Sequence, residues 1–369
     1  MKCLKYIGLL FTLWTCLLSA QEITSYTWHD PLETLNKIEG QGWSDIGYAR
    51  LPGQAENLVR NPVWSLSRHA AGLSIRFKTD ADSLQIEYEV DGNHAMNHMP
   101  ATGVSGVDLY GKNEVNDWLW YRGRSTFGDI VQYHFKSENS PKGGREYQLY
   151  LPLYNNCKNL KIGIPKGSAI KFLPQRKEKP VVVYGTSIAQ GACASRPGMA
   201  WTNIVSRKLD YPVVNLGFSG NGRLEQEVLD LITEIDAQVY VLDCLPNLSP
   251  NEERTEEEIK KRIQNSVHHI RNKRPRARIL LTHHAGYSDG EVDRSRNEVY
   301  KTLNRWTSEV FIDFQRDRIR YLYLLPRNKI NLSNDAFVDG THPTDLGMEQ
   351  YANAYGEVLA PLLGRYKQH

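Results

Sequence analysis

Between Ser25 and Lys171 the chain alternates apolar and polar positions in short runs cut by turn residues. The runs are GLSIRFKT (72–79), SLQIEYEV (83–90), GVDLYGK (106–112), WLWYRG (118–123), VQYHFK (131–136), EYQLYLPL (146–153) and NLKIGIP (159–165). A period of two sends one face of a strand into a core and leaves the other in water, and Gly, Asn and Pro between the runs supply turns. The pattern predicts an all-β first half, an antiparallel sheet sandwich over residues 21–173. The charged, proline-bracketed PQRKEKP, residues 174–180, is the expected linker.

From residue 181 the pattern changes. Solidly apolar runs, VVVYG (181–185), PVVNLG (212–217), QVYVLD (238–243), RILLTHH (278–284) and RYLYLL (320–325), alternate with helical stretches near 197–209, 223–235, 254–272, 291–310 and 344–359. Strands without polar alternation are buried on both faces, so residues 181–369 predict an α/β domain: a parallel five-stranded sheet wrapped by helices on both sides. Glu256, Glu257 and Glu258 open the third helical stretch, and His268, His269, Arg271, Lys273 and Arg274 close it, which matches the helix dipole.

Composition narrows the partners. At 369 residues the chain is long enough for two domains, and 45 basic against 42 acidic side chains leave a formal charge of only +3. That balance gives no reason to expect a nucleic-acid partner. Lys2 and Lys5 followed by an apolar run from Tyr6 to Leu18 and the small residues Ser19-Ala20 fit a secretory leader over residues 1–20. The run is too short for a membrane span and no later segment is apolar enough to be one, so the expectation is a secreted or periplasmic protein without membrane insertion. Leu13-Trp14-Thr15 lacks the small residues that precede a lipid-modified cysteine, so cleavage after Ala20 is expected in place of anchoring at Cys16. After cleavage Cys157, Cys193 and Cys244 remain. Two of them, Cys193 and Cys244, follow strand ends; they form either a bridge beside the site or two buried thiols.

Ser187 sits in GTSIAQG, where a buried strand ends in a sharp turn into a helix. Open α/β sheets bind ligands outside the carboxyl ends of their strands, so the hydroxyl is a candidate nucleophile, although a serine at such a turn also makes a helix cap. A nucleophilic serine needs a base and a group that fixes the base's tautomer. FVDGTHPTDLG (337–347) offers His342 and Asp339, while His283 and His284 compete as bases but lack an adjacent orienter. A metal held by His283, His284 and His342 has no recognisable ligand spacing, and no cofactor or metal is called for. Backbone donors in NLGFSGNGR (215–223), Gly220 foremost with Asn221 as its rival, and the Asn247 amide in LDCLPNLSP (242–250) are candidates for an oxyanion hole. In the first half, Trp118, Trp120 and Tyr121 either fill the core or stack sugars. The loop that opens AMNHMPATGVSGVDLY (95–110), with His94 before it and His98 near its start, suggests an interdomain contact reaching toward the active site.

Taken together, GTS around Ser187, NLGFSG around Gly220, DCLPN around Asn247 and DGTH with Asp339 and His342 resemble the four blocks of the SGNH, or GDSL-type, hydrolases. GVDLY, residues 106–110, is similar to the β domain that precedes the hydrolase in a two-domain bacterial group of that family. The chain departs from the family pattern at Thr186, where Asp is usual, and at Leu245-Pro246-Asn247-Leu248, where Gly-x-Asn-Asp is usual. The resemblance implies a flavodoxin-like three-layer α/β/α domain behind a jelly-roll-like sandwich. It also implies Ser187 as nucleophile, His342 as base and then acid, Asp339 as orienter, and an oxyanion hole from the Ser187 and Gly220 N–H groups with the Asn247 amide. His98 and Arg196 are the candidate substrate contacts. The implied activity is that of a serine esterase acting on an acetylated poly- or oligosaccharide, with a lipase or lysophospholipase and a catalytically silent carbohydrate-binding protein as alternatives.

Overall fold

The computed structural model describes residues 25–365 apart from 34–36, 138–140 and 142; the expected leader, including Lys2, Lys5 and Cys16, lies outside the described residues. The first half contains β1 (Tyr26–His29), β2 (Ile38–Glu39), β3 (Ser74–Thr79), β4 (Ser83–Glu89), β5 (Asp108–Lys112), β6 (Trp118–Tyr121), β7 (Gly123–Thr126), β8 (Val131–Lys136), β9 (Arg145–Tyr150), β10 (Lys158–Pro165) and β11 (Ile170–Phe172). They pair antiparallel into two sheets, β1-β10-β4-β8-β7 and β11-β3-β9-β5-β6, with β2 added on β3. Alternation decides which side chains enter the core. On β4, Leu84, Ile86 and Tyr88 are buried while Gln85 and Glu87 face outward. Leu84 and Ile86 stand opposite Phe135 and Tyr133 of β8, and Ile75, Phe77 and Leu149 of the facing sheet close the same core. Each such side chain contributes about 1.5–3 kcal/mol on burial.

WLWYRG, expected as one strand, is divided. β6 pairs with β5 in one sheet and β7 with β8 in the other, so the chain crosses between sheets at Arg122. Two short helices, α1 (Asn61–Ser67) and α2 (Ala101–Val104), lie in the connections of this half.

In the second half β12 (Val181–Gly185), β13 (Val213–Gly217), β14 (Val239–Asp243), β15 (Arg278–Thr282) and β16 (Leu322–Leu325) make the expected parallel five-stranded sheet, ordered β13-β12-β14-β15-β16. The helices are α3 (Ser187–Gln190), α4 (Trp201–Leu209), α5 (Gln226–Ile232), α6 (Glu256–Lys273), α7 (Arg294–Arg316), α8 (Arg327–Ile330) and α9 (Asp345–Leu362). Alternate strand residues feed two separate cores. Val182, Tyr184, Tyr240 and Leu242 pack under α5, α6 and α7; Val181, Val183, Val239 and Val241 pack under α4 and α9. That is why the strands carry no polar alternation. α7 runs past residue 310 to Arg316 because its apolar stripe continues through Val310 to Phe314, both buried. Thr255 caps α6 by accepting from the Glu258 N–H.

The strand order reverses beside β12, so the crevice outside the ends of β12 and β14 is the switch point at which doubly wound sheets bind ligands. No helix among the described residues is long and apolar enough to cross a membrane.

Candidate active site

The end of β12 delivers Ser187 to that crevice. Thr186, not Ser187, occupies the cap position of α3, and its hydroxyl makes no capping bond. Ser187 is the first residue of the helix, 8% exposed, and its Oγ lies 2.8 Å from His342 Nε2. His342 Nδ1 in turn lies 2.7 Å from Asp339 Oδ2. Asp339 Oδ1 accepts from the His342 and Thr341 N–H groups at 2.8 and 3.0 Å, and the Val338 N–H donates to the His342 carbonyl at 2.8 Å. The DGTH turn is thus knitted around one carboxylate, and Thr344, not Asp339, caps α9. Burial works against the Asp339 charge, but the hydrogen bonds from His342 and Thr341 outweigh it and hold the carboxyl below the usual range. An ionised Asp339 fixes the Nδ1–H tautomer and leaves the Nε2 lone pair toward the serine.

The turn after β13 is seated directly on the end of β12. The Phe218 N–H donates to the Gly185 carbonyl at 3.0 Å, and a Cβ on Gly222 would collide with that same carbonyl. Gly220 has a φ of +68°, a conformation that favours glycine, and nothing stands where its side chain would be. Among the described residues, neither the Ser187 nor the Gly220 N–H donates to a protein acceptor. Asn247 reaches the same turn from the end of β14. The donors around it assign its amide orientation: its oxygen accepts from the Asn221 and Gly222 N–H groups at 3.0 and 3.1 Å.

The β half presses on this edge of the sheet. The 95–110 segment crosses over: the Thr102 hydroxyl donates to the Ser195 carbonyl at 2.7 Å, Met99 is buried with Ile188 and Cys193, and the His98 ring centroid lies 5.9 Å from that of His342. Asp108 of GVDLY is buried and accepts from Arg196 Nη1 at 2.5 Å, from the Gly198 N–H at 2.9 Å and from Trp120 Nε1 at 2.6 Å. The Arg196 guanidinium also donates to the Tyr110 hydroxyl at 2.7 Å and lies over the Trp120 ring at 4.6 Å. Arg196, expected at the substrate, is therefore held in the junction between the two halves. Trp120 is 47% exposed, so it is an edge residue of that junction and not a core aromatic.

Three side chains that sequence reasoning passed over complete the seam. Buried Gln190 accepts from the Ser219 N–H at 3.0 Å and donates to the Leu153 carbonyl at 3.1 Å, joining the serine's helix to the glycine turn and to the β half. The Tyr154 hydroxyl donates to the Ser187 carbonyl at 3.2 Å. Arg50, 1% exposed, donates to the carbonyls of Gly217, Leu66 and His69 at 2.6, 2.6 and 2.9 Å; burial pushes its guanidinium down to about 9. A buried-looking glutamine beside Ile188 and Ala189 was the local signal for these contacts.

The other sequence candidates lie elsewhere. His283 and His284 stand past the end of β15 and do not reach the serine: His283 Nε2 is 3.0 Å from the Ser308 hydroxyl, and His284 Nδ1 accepts from the Gly286 N–H at 2.9 Å. Burial drives them down to about 4 and about 3. His283 and His284 thus do not join His342 in one cluster. Cys193 and Cys244 are not bridged; all three described cysteines are free and buried, because Cys193 packs in the α4–α9 core and Cys244 in the α5–α7 core, on opposite faces of the sheet.

The GDSL-like lipase/acylhydrolase family matches residues 178–360, and the GxDLY N-terminus of SGNH-hydrolase-type esterases matches residues 26–170. No curated protein matches the chain. Among solved structures, a protein from Bacteroides ovatus described as a GDSL-like lipase is 28% identical over 92% of this chain and 98% of its own, with a TM-score of 0.84. A salicylyl-acyltransferase from a tetracycline biosynthetic pathway is 18% identical over 91% of this chain and 97% of its own, with a TM-score of 0.71. A family two carbohydrate esterase from Clostridium thermocellum, in complex with cellohexaose, is 12% identical over 80% of this chain and 94% of its own, with a TM-score of 0.53. The last two share the fold. The chain belongs to the GDSL-like lipase/acylhydrolase family and carries the GxDLY N-terminus of SGNH-hydrolase-type esterases.

Proposed function

We propose that the protein is an exported serine esterase that removes a small acyl group, acetyl foremost, from a carbohydrate. The observation that carries this reading is the continuous relay from Ser187 Oγ through His342 to Asp339, with steps of 2.8 and 2.7 Å, at the switch point of the sheet. His342 Nε2 takes the serine proton as Oγ attacks the ester carbonyl, and the N–H groups of Ser187 and Gly220 with the Asn247 amide hold the oxyanion. His342 then returns the proton to the departing sugar alkoxide. Water, deprotonated by the same nitrogen, hydrolyses the acyl-enzyme and releases the acid and free Ser187.

The carbohydrate part leans on the likeness to a carbohydrate esterase. Fold likeness carries less about substrate than the relay does about reaction type. A lipase or lysophospholipase is the second enzymatic reading, and a sugar-binding protein with a silent hydrolase half is the non-enzymatic one. The test is a panel of acetylated oligosaccharides alongside an aryl acetate and a long-chain acyl glycerol, scored by acid released. Turnover of the aryl acetate with preference for one acetylated sugar is expected. Preference for the long acyl chain would favour the lipase reading, and sugar binding with no release from any ester would favour the silent one.

A further inference from the structure

His342 belongs to a second constellation that the relay does not use. One ring nitrogen from His98, one from His342 and the Cys193 sulfur all lie within 4.8 Å of one another. They come from three separate segments: the loop before α2, the turn after α3 and the turn before α9. Imidazole and thiolate are the ligands that select zinc and its neighbours over magnesium and calcium.

The surroundings of each ligand suit that use. Asp339 accepts the Nδ1–H of His342 at 2.7 Å and so presents the Nε2 lone pair, the carboxylate–histidine arrangement typical of metal sites. The Cys193 N–H donates to the Pro343 carbonyl at 3.0 Å, which ties the thiol's segment to the residue after His342. His98 is exposed on a loop anchored by its neighbours Met99 and Thr102, so its ring can swing while its backbone stays. Tetrahedral zinc, with bonds of about 2.0–2.1 Å to nitrogen and about 2.3 Å to sulfur, sets its ligand atoms about 3.3–3.7 Å apart. The three atoms, within 4.8 Å of one another, therefore have to draw in by up to about an ångström, with the exposed His98 ring free to move and the Cys193 and His342 side chains adjusting around the ion. Burial and then the Asp339 charge push the Cys193 thiol up to about 12, so the cation must displace its proton to solvent.

We propose that His98, Cys193 and His342 capture a thiophilic divalent cation, zinc foremost, and that this capture switches the site off. Three protein ligands leave a fourth position for water or for Ser187 Oγ. The cation takes the lone pair that would otherwise accept the serine proton. The inhibitory half rests on His342 acting as the base; the binding half does not.

The test uses the full chain, with Co²⁺ as spectroscopic probe and Zn²⁺ as inhibitor. Cobalt held by Cys193 gives a thiolate-to-metal charge-transfer band and intense tetrahedral d–d bands whether or not any ester is hydrolysed. Cys193→Ser should remove the charge-transfer band, and His98→Ala, at an exposed position where folding is not at risk, should weaken cobalt binding at least about tenfold. Zn²⁺ should inhibit aryl acetate hydrolysis, chelator should restore it, and each variant, scored against its own metal-free rate, should need at least about tenfold more zinc. A wild type without the charge-transfer band, or variants that bind cobalt as the wild type does, overturns the site. A cobalt band with hydrolysis untouched by zinc overturns the switch alone. A cobalt band in a protein that turns over no ester leaves the metal site standing and removes the esterase reading.

Discussion

His284 stands just past the end of β15 and His342 in the turn before α9, and their surroundings differ in kind. The His342 side chain is 21% exposed, has a carboxylate at 2.7 Å on one nitrogen and a serine hydroxyl at 2.8 Å on the other. His284 is 1% exposed, accepts a backbone N–H at its Nδ1, and packs between Tyr287 and Tyr300 at ring distances of 4.6 and 6.0 Å. Among the described residues its Nε2 has no partner. Burial, then the charges of Arg296 and Arg327, push it down to about 3. A ring so reluctant to take a proton is a poor base near neutrality, whereas one with an ionised carboxylate behind it is held in the useful tautomer. Proximity to the sheet edge does not make a base; an orienter and a reachable lone pair do.

That contrast can be broken most directly by substitution. Ser187→Ala and His342→Ala should each lower kcat/KM for an aryl acetate by about 10⁴ or more with thermal unfolding nearly unchanged, while His284→Ala stays within a few-fold of wild type. The reverse pattern would move the base to β15. Asp339→Asn should cost up to about 10⁴ in kcat, because an amide permits the wrong tautomer. A loss of less than tenfold would leave His342 without the orienter proposed for it. Asn247→Ala should cost about 10²–10³ in kcat if its amide faces the oxyanion. An effect on KM alone would place it at the substrate instead.

Smaller effects belong to the buried histidine. His284→Ala should lower stability by about 1–3 kcal/mol in denaturant titration, since it leaves a gap between two tyrosine rings. Acid should act on the same group. With a folded pKa of about 3 against about 6.5 unfolded, His284 lets the unfolded chain bind more protons throughout that window, so its stabilisation is full above pH 6.5 and is lost as pH falls. Between pH 7 and 5 the loss is about 2 kcal/mol. Buried Asp243 opposes it, because burial raises its carboxyl to about 6 and the folded state takes up that proton first. Tm should therefore fall from pH 7 to 5 in calorimetry, and fall more steeply in Asp243→Asn; a Tm that rises over this range would reverse the sign.

The sequence by itself determined the two architectures and the local chemistry. Period-two alternation around Leu84, Ile86 and Tyr88, and its absence from VVVYG and VYVLD, are local consequences of how many faces a strand buries, so they are legible without a structure. Asp339 and His342 were legible for the same reason, being three residues apart in one turn. Only the tertiary structure decided which distant groups meet. Asp108 and Arg196 are 88 residues apart, and Gln190 and Leu153 are 37 apart. The 155-residue separation of Ser187 from His342 carries no periodic signal of contact, only the order of motifs. The same holds for the cysteines, which stand near strand ends in sequence yet fall into cores on opposite faces, and for WLWYRG, whose division between two sheets depends on partners in β5 and β8. Short-range pattern reports how a segment is solvated; long-range pairing is set by how the packed layers bring loop ends together, and that is written in no single stretch of the chain.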